Sequence, residues 1–216
     1  VERIARAAER AGRDPASVTL IGVTKGVGAA RVREAVAAGL GDLGENRVQE
    51  AVPKIEAVGP GPRWHLVGHL QRNKARLAVG WFQVIHSLDG LRIAEAVDRA
   101  AGEAGRRIRV LVEVNVAGEV TKHGLAPGAA VDLVGRLRSC RSLDPIGLMT
   151  VAPLASDPET VRPVFRELRA LRDSLRAGVV GEGFCHLSMG MSGDFEVAIE
   201  EGATMVRIGR ALFGDR

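Results

Sequence analysis

The sequence predicts an α/β fold, a (β/α)8 TIM barrel preceded by an extra N-terminal helix, on three observations. Eight short apolar runs alternate with segments of helical periodicity to the end of the chain. Runs such as Val110–Val114 are apolar without alternation, as in parallel strands covered on both faces. The 216 residues hold eight β/α units in one domain, 1–216, just above the lower limit of roughly 200 for this architecture. A doubly wound sheet of five or six strands is the alternative.

The elements read as follows. Residues 1–12 place Ile4, Ala7, Ala8 and Ala11 on one helical face, and Asp14-Pro15 starts a turn. The first strand, Val18–Thr24, is followed by a helix carrying Val32 and Val36 that stops at Gly39. Asp42–Glu45 is the second strand, and Val48, Val52 and Ile55 mark its helix. Trp64–Val67 and Phe82–Ser87 are the third and fourth strands, the latter followed by a helix with Leu91, Ala94 and Val97. Arg109–Val116 is the fifth strand; after Ala126-Pro127-Gly128 comes a helix with Val131, Val134 and Leu137. Pro145–Thr150 is the sixth, and beyond Asp157-Pro158 a helix carries Val161, Phe165, Leu168 and Leu171. Phe184–Ser188 and Thr204–Gly209 complete the set, with a short helix at Arg210–Phe213.

Composition removes several function classes. Lys+Arg number 30 against 26 Asp+Glu, a net charge of +4, but the basic residues are scattered and no aromatic-basic cluster marks a nucleic-acid surface. Two cysteines, Cys140 and Cys185, exclude a disulfide framework and a cysteine-rich zinc site. No apolar run nears the roughly 20 residues of a membrane span, and no signal-peptide pattern opens the chain, so the cytoplasm is the expected compartment. There is no tyrosine, which removes every mechanism that needs a phenol from this chain.

Barrel chemistry sits at the C-terminal strand ends. That rule picks out Lys25, Asn46, Gly68, His69, Asp89, Asn115, Thr150, Ser188, Arg207 and Gly209. Only four of the thirty basic residues are lysines (25, 54, 74 and 122), so a lysine at a strand end is a candidate for what arginine cannot do, Schiff-base formation after losing a proton. Gly26-Val-Gly28-Ala-Ala-Arg31, with Glu45 further on, mimics a dinucleotide fingerprint. Arg31 stands where a small residue is needed, and the match is discounted. His186-Leu-Ser188-Met-Gly190-Met-Ser192-Gly193-Asp194 and Val206-Arg-Ile-Gly209-Arg210 supply hydroxyls and flexible backbone at strands seven and eight. Many barrels bind phosphate there. Asp194 is expected to cap the next helix, and Met189 and Met191 to pack. His65 and His69 have ligand-like spacing, but Gly68 interrupts them and no neighbouring carboxylate completes a set. His65 is therefore expected as a hydrogen-bonded barrel residue and no metal is expected. Cys185 reads as core.

A strand-one lysine facing phosphate loops at strands seven and eight is the layout of barrel-type pyridoxal-phosphate proteins. The chain resembles the pyridoxal phosphate homeostasis protein family in blocks running nearly end to end. These are Val23-Thr-Lys25, Leu43–Glu50, Trp64–Lys74, Ile85–Asp89, Val114-Asn115, Gly147–Met149, Leu187–Asp194 and Val206–Gly209 with Phe213-Gly214. The resemblance implies a fold type III barrel of the alanine-racemase kind without the β-domain, and pyridoxal 5′-phosphate as cofactor. It implies that Lys25 forms the aldimine, that Ser188 with the backbone at Gly209 and Arg210 holds the phosphate, that Arg207 faces the pyridine nitrogen and that Asn46 lies near the ring. It further implies a monomeric carrier in cofactor homeostasis, with pyridoxal-phosphate-dependent apoenzymes as partners and no membrane or nucleic acid. The alternative is a cofactor-dependent enzyme acting on amino acids, a racemase or lyase. A racemase needs a second base, which in racemase relatives is a tyrosine. Two departures stand out: Gly26-Val27-Gly28 follows Lys25 where the family has Thr-Lys-Pro, and His123 replaces a smaller residue after strand five.

Overall fold

The computed structural model describes residues 1–119 and 121–214. Eight parallel strands close in chain order: β1 (Thr19–Val23), β2 (Asp42–Glu45), β3 (Arg63–Leu66), β4 (Val84–Leu88), β5 (Ile108–Glu113), β6 (Leu143–Met149), β7 (His186–Ser188) and β8 (Met205–Ile208). Closure runs through β8 and β1, in register from Thr19–Met205 to Gly22–Ile208. The barrel class and the chain order of its strands therefore stand as expected, and the doubly wound alternative does not.

The helices are α1 (Glu2–Arg10), α2 (Ala29–Ala37), α3 (Val48–Val58), α4 (Ala75–Trp81), α5 (Leu91–Glu103), α6 (Pro127–Leu137), α7 (Arg162–Leu175), α8 (Phe195–Glu200) and α9 (Arg210–Phe213). Two turn signals act through the chemistry that predicts them. The Asp14 carboxylate accepts from Ala16 N–H at 2.9 Å, and that of Asp157 from Glu159 N–H at 3.0 Å, each opening a 3-10 turn that begins with proline. Helix α4 has no counterpart in the periodicity reading. It is one short stretch whose buried face is made of Ala75, Ala78 and Val79, too small to stand out as a stripe.

Two cores result. The larger lies between strands and helices, where Leu43, Ile85, Val112, Leu148 and Val206 meet Phe82, Phe165 and Leu168. Each such aromatic or leucine is worth roughly 1.5–3 kcal/mol when fully buried. The smaller fills the barrel with Ile21, Val84, Leu111, Ile146, Met149 and Met205. Successive strand side chains alternate between faces, so His86 lies on the inner face with Val84, Glu113 with Leu111 and Arg207 with Met205. Polar side chains thus thread the apolar interior from Asp42 and His65 up to Arg207 near the C-terminal ends, where a site is built.

Candidate functional site

The C-terminal strand ends enclose a cleft of about 760 Å³. Its walls come from Lys25 and Asn46 after β1 and β2, from Val67 after β3, from Val151–Ala155 after β6, from Met191–Asp194 after β7, and from Arg207, Gly209 and Arg210 on β8 and its loop. The volume falls within the few hundred to a thousand Å³ of ordinary cofactor pockets.

Lys25 stands on a pinned backbone. Preceding it, buried Thr24 donates through Oγ1 to Glu45 Oε1 at 2.6 Å, and its carbonyl accepts from Lys54 Nζ at 2.5 Å. Lys54 Nζ also pairs with Glu45 Oε1 at 2.5 Å, both side chains being largely buried. Glu45 is therefore a structural anchor of β2, not a ribose ligand. The cleft holds a second lysine, Lys122, but its Nζ is paired with Glu119 at 2.9 Å and contacts the Val151 carbonyl at 3.4 Å. Lys25 has no hydrogen-bond or ion-pair partner among the described residues, and neither does the Asn46 side chain. Asn46 is set by Gly68, where any Cβ would lie 2.4 Å from the Asn46 carbonyl oxygen. Only glycine lets β3 pass so close.

The loops after β7 and β8 form one unit. Arg207 N–H donates to the Gly190 carbonyl at 3.0 Å, and Ala211 N–H reaches Ser192 Oγ at 3.4 Å. Gly190 has φ +93°, with Phe195 Cα and Ala198 Cβ where a side chain would go. The Asp194 carboxylate turns back to accept from Met191 N–H at 2.6 Å and makes no cap to α8, contrary to the expectation above. The tight loop takes its oxygen first. The N–H groups of Ser192, Gly193, Gly209 and Arg210 have no internal acceptor among the described residues. Unpaired N–H groups converging on a cleft form a cradle for an anion.

Ser188 is placed differently from its predicted role at the cradle. It is fully buried beneath the cleft, and its hydroxyl is held by Arg207 Nη1 at 2.7 Å and His86 Nδ1 at 2.9 Å. The hydroxyl at the cleft surface is that of Ser192, in the loop beyond β7. Met189 is buried as expected, whereas Met191 lines the cleft. Cys185 lies just before β7 and is half-buried, its carbonyl accepting from Arg172.

A chain of hydrogen bonds descends from the cleft through the barrel: Arg207 to Ser188, Ser188 to His86, His86 Nε2 to His65 Nδ1 at 2.9 Å, and His65 Nε2 to Asp42 Oδ1 at 2.9 Å. Burial drives His86 well below the ordinary histidine range, helped by His65, Arg207 and His186 nearby. Burial also lowers His65 against the opposing pull of Asp42. With both rings neutral the proton positions follow. The Asp42 carboxylate only accepts, so His65 donates through Nε2 and accepts at Nδ1. His86 then donates through Nε2 and accepts at Nδ1 from the Ser188 hydroxyl. Arg207, which only donates, closes the upper end. Burial opposes ionisation of Asp42, but the His65 N–H, Arg63 and Arg109 outweigh it and lower its pKa.

Arg207 itself is fixed at the cleft floor, donating also to the Ser188 and Thr150 carbonyls at 2.8 Å. Burial pulls its pKa down to about 10, opposed by Glu113 and Asp194, so it is a cation at neutral pH. Glu113 is pushed up to about 7 by burial and by Asp89, against the pull of Arg207. Sequence reasoning passed over His86, Glu113 and Asp42. Strand alternation was the available signal for His86 and Glu113, which lie two residues along from the inward-facing Val84 and Leu111, whereas Asp42 has only Gly44 two residues on. Of the remaining strand-end residues, Asn115 and Thr150 serve the backbone, donating to the Glu119 and Val114 carbonyls. His69 meets Asp89 across 3.0 Å.

Known proteins resemble this chain along its whole length. The family model for the alanine racemase N-terminal domain matches residues 2–216. The pyridoxal phosphate homeostasis protein of Aquifex aeolicus is 46% identical over 217 residues, covering 100% of this chain and 95% of the relative. The structure of PipY from Synechococcus elongatus without pyridoxal phosphate superposes with a TM-score of 0.89 at 40% identity, covering 99% of both chains. The structure of PipY with pyridoxal phosphate bound gives 0.87 at 39% identity, covering 98% of this chain and 100% of that one. With likeness of this extent in both sequence and fold, the chain belongs to the pyridoxal phosphate homeostasis protein family, on the alanine racemase N-terminal fold.

Proposed function

We propose that this protein binds pyridoxal 5′-phosphate covalently through Lys25 and takes part in its homeostasis, holding the cofactor for delivery to pyridoxal-phosphate-dependent apoenzymes in the cytoplasm as a monomer. The observation that carries the reading is the pairing of an unpartnered cleft lysine with an unpartnered N–H cradle across one cavity. Of the two cleft lysines, only Lys25 is free to act as an amine, because Lys122 is held by Glu119. PipY, 39% identical to this chain, has been solved with pyridoxal phosphate bound, which supports the choice of ligand.

The residues divide the work. The Lys25 amine adds to the cofactor aldehyde and water leaves, a step reversed by water or by a second amine. Ser192 Oγ and the N–H groups of Ser192, Gly193, Gly209 and Arg210 hold the phosphate. Arg207 donates toward the pyridine nitrogen, and Asn46 borders the ring from β2. A guanidinium keeps its proton, so it leaves that nitrogen unprotonated and the ring a weaker electron sink than one paired with a carboxylate. No phenol is available in the chain as an opposing base. Both features favour holding the cofactor over turning over amino acids. Visible absorbance and the mass after borohydride reduction, for wild type and Lys25→Ala, test the reading. Labelling at Lys25 that disappears in the variant is expected. A wild-type Lys25 left unlabelled at saturating cofactor refutes it.

A further inference from the structure

We propose that His69, Asp89 and His123 form a binding site for a divalent transition-metal ion of the zinc class, beside the cleft and separate from its lysine and phosphate cradle. The three residues come from the loops after β3, β4 and β5, and one ligand atom of each lies within 4.8 Å of the others. His69 Nδ1 sits 3.0 Å from Asp89 Oδ2, and the two imidazoles stack at 4.2 Å between centroids with 11° between planes. Local sequence places no carboxylate near His69. The barrel supplies one by bringing the end of the adjacent strand alongside.

The chemistry of the set is selective. Two imidazole nitrogens and one carboxylate oxygen suit zinc and its neighbours, whereas calcium and magnesium take oxygen ligands. Three protein ligands leave a fourth position for water, as in open zinc sites. Around an ion with bonds of about 2.0–2.1 Å, tetrahedral ligand atoms stand about 3.4 Å apart. Ligand atoms up to 4.8 Å apart must therefore close by up to about 1.4 Å, and the stacked rings must turn their nitrogens toward one point; side-chain torsions supply both, because His123 is exposed and the His69 side chain is 37% accessible.

The other histidines underline the contrast. His65 and His86 have both ring nitrogens engaged inside the barrel, and His186 Nδ1 meets Thr204 Oγ1 at 3.2 Å. Among the described residues, His123 has no hydrogen-bond partner and His69 has only Asp89. These two bases thus keep lone pairs available on one side of a carboxylate. The site borders the cleft, since Val67 and Lys122, close in sequence to His69 and His123, both line it.

Calorimetric titration of Zn²⁺ into chelator-treated full-length protein tests the assignment. Wild type, His123→Ala, Asp89→Asn and the Cys140→Ser/Cys185→Ser pair are compared, with circular dichroism confirming the fold of each. One ion per chain is expected in wild type and in the cysteine pair, with at least a tenfold loss of affinity in both ligand variants. His123 is exposed, so its removal reports on the ion without threatening the barrel. No binding by wild type at millimolar Zn²⁺, retention of wild-type affinity in both ligand variants, or loss in the cysteine pair overturns the proposal.

Discussion

Replacing His86 with glutamine should change how stability depends on pH while keeping a neutral donor-acceptor in the buried chain. In the folded protein His86 is fully buried and its pKa lies well below the ordinary value, burial being the main cause. In the unfolded chain it titrates near about 6.5. A folded value below the unfolded one means that its contribution is complete above about pH 6.5 and is lost as the pH falls, at up to about 1.4 kcal/mol per pH unit. Between about pH 7.5 and about pH 5.5 a single such histidine costs about 1–1.5 kcal/mol. Glu113 opposes this. Its folded pKa is about 7 against about 4.3 unfolded, so its contribution is complete at low pH and is lost as the pH rises through about 7. Over the same acidification it returns about 2 kcal/mol. The two terms nearly cancel in wild type, and His86→Gln removes one of them. Urea unfolding followed by tryptophan fluorescence reads the effect. Relative to wild type, the variant should gain about 0.5 M in midpoint on going from about pH 7.5 to about pH 5.5, at a slope of about 2 kcal/mol per molar urea. Parallel pH profiles for the two proteins would mean that His86 takes up a proton in the fold as readily as in the unfolded chain, and the proton order assigned from Asp42 upward would be wrong.

Ser188 at the end of β7 and Ser192 in the loop after it should separate cleanly. Ser188→Ala removes the donor to His86 Nδ1 and should lower stability by about 1–3 kcal/mol in urea melts, the cost of a buried polar atom left alone. Ser192→Ala should leave the melt unchanged and weaken pyridoxal phosphate binding roughly fivefold, about 1 kcal/mol, measured by absorbance titration. Lys54→Met leaves the buried Glu45 carboxylate with the Thr24 hydroxyl but no counter-charge, Oε2 already being unpaired, and should cost about 3–5 kcal/mol; adding Glu45→Gln should recover most of it. Gly190→Ala forces a Cβ to 2.7 Å from Ala198 Cβ at φ +93° and should cost about 1–3 kcal/mol or more, measured by thermal unfolding.

The barrel was legible because parallel strands covered on both faces leave continuous apolar runs, and the prolines and aspartates that start turns act locally. Asp14 and Asp157 need only their own neighbours to make their caps. Helix α4 was not legible, since its alanine-rich face carries little hydrophobic contrast. Lys25, Asn46, Arg207 and Gly209 could be placed by strand-end logic, and all four line one cleft together with Arg210 of the loop that follows β8. Ser188 shows the limit of that logic. Its position at a strand end is real, but the inward face of β7 sends its hydroxyl down to His86 and the loop beyond it brings Ser192 to the surface. Side-chain direction decides between them, and direction depends on pairing that spans more than a hundred residues.

The same pairing explains why this barrel has a polar upper interior. Filling it with histidines, a glutamate and an arginine gives up the stability that apolar residues would add, because each buried charge or dipole must be matched before it stops costing free energy. Here the matching is directional. Asp42 at the lower end orders the two neutral imidazoles, they order the Ser188 hydroxyl, and that hydroxyl receives one Arg207 N–H while the Ser188 and Thr150 carbonyls receive others. An arginine held at several points cannot swing to follow a ligand, and it cannot give up its proton at neutral pH. On the proposed reading, in which Arg207 faces the pyridine nitrogen, that nitrogen would stay unprotonated, set from below by the residues that hold the guanidinium. The fixed floor and the pinned Thr24 backbone leave Lys25 as the free amine of the cleft among the described residues, and the proposed reversible capture of the cofactor rests on that arrangement.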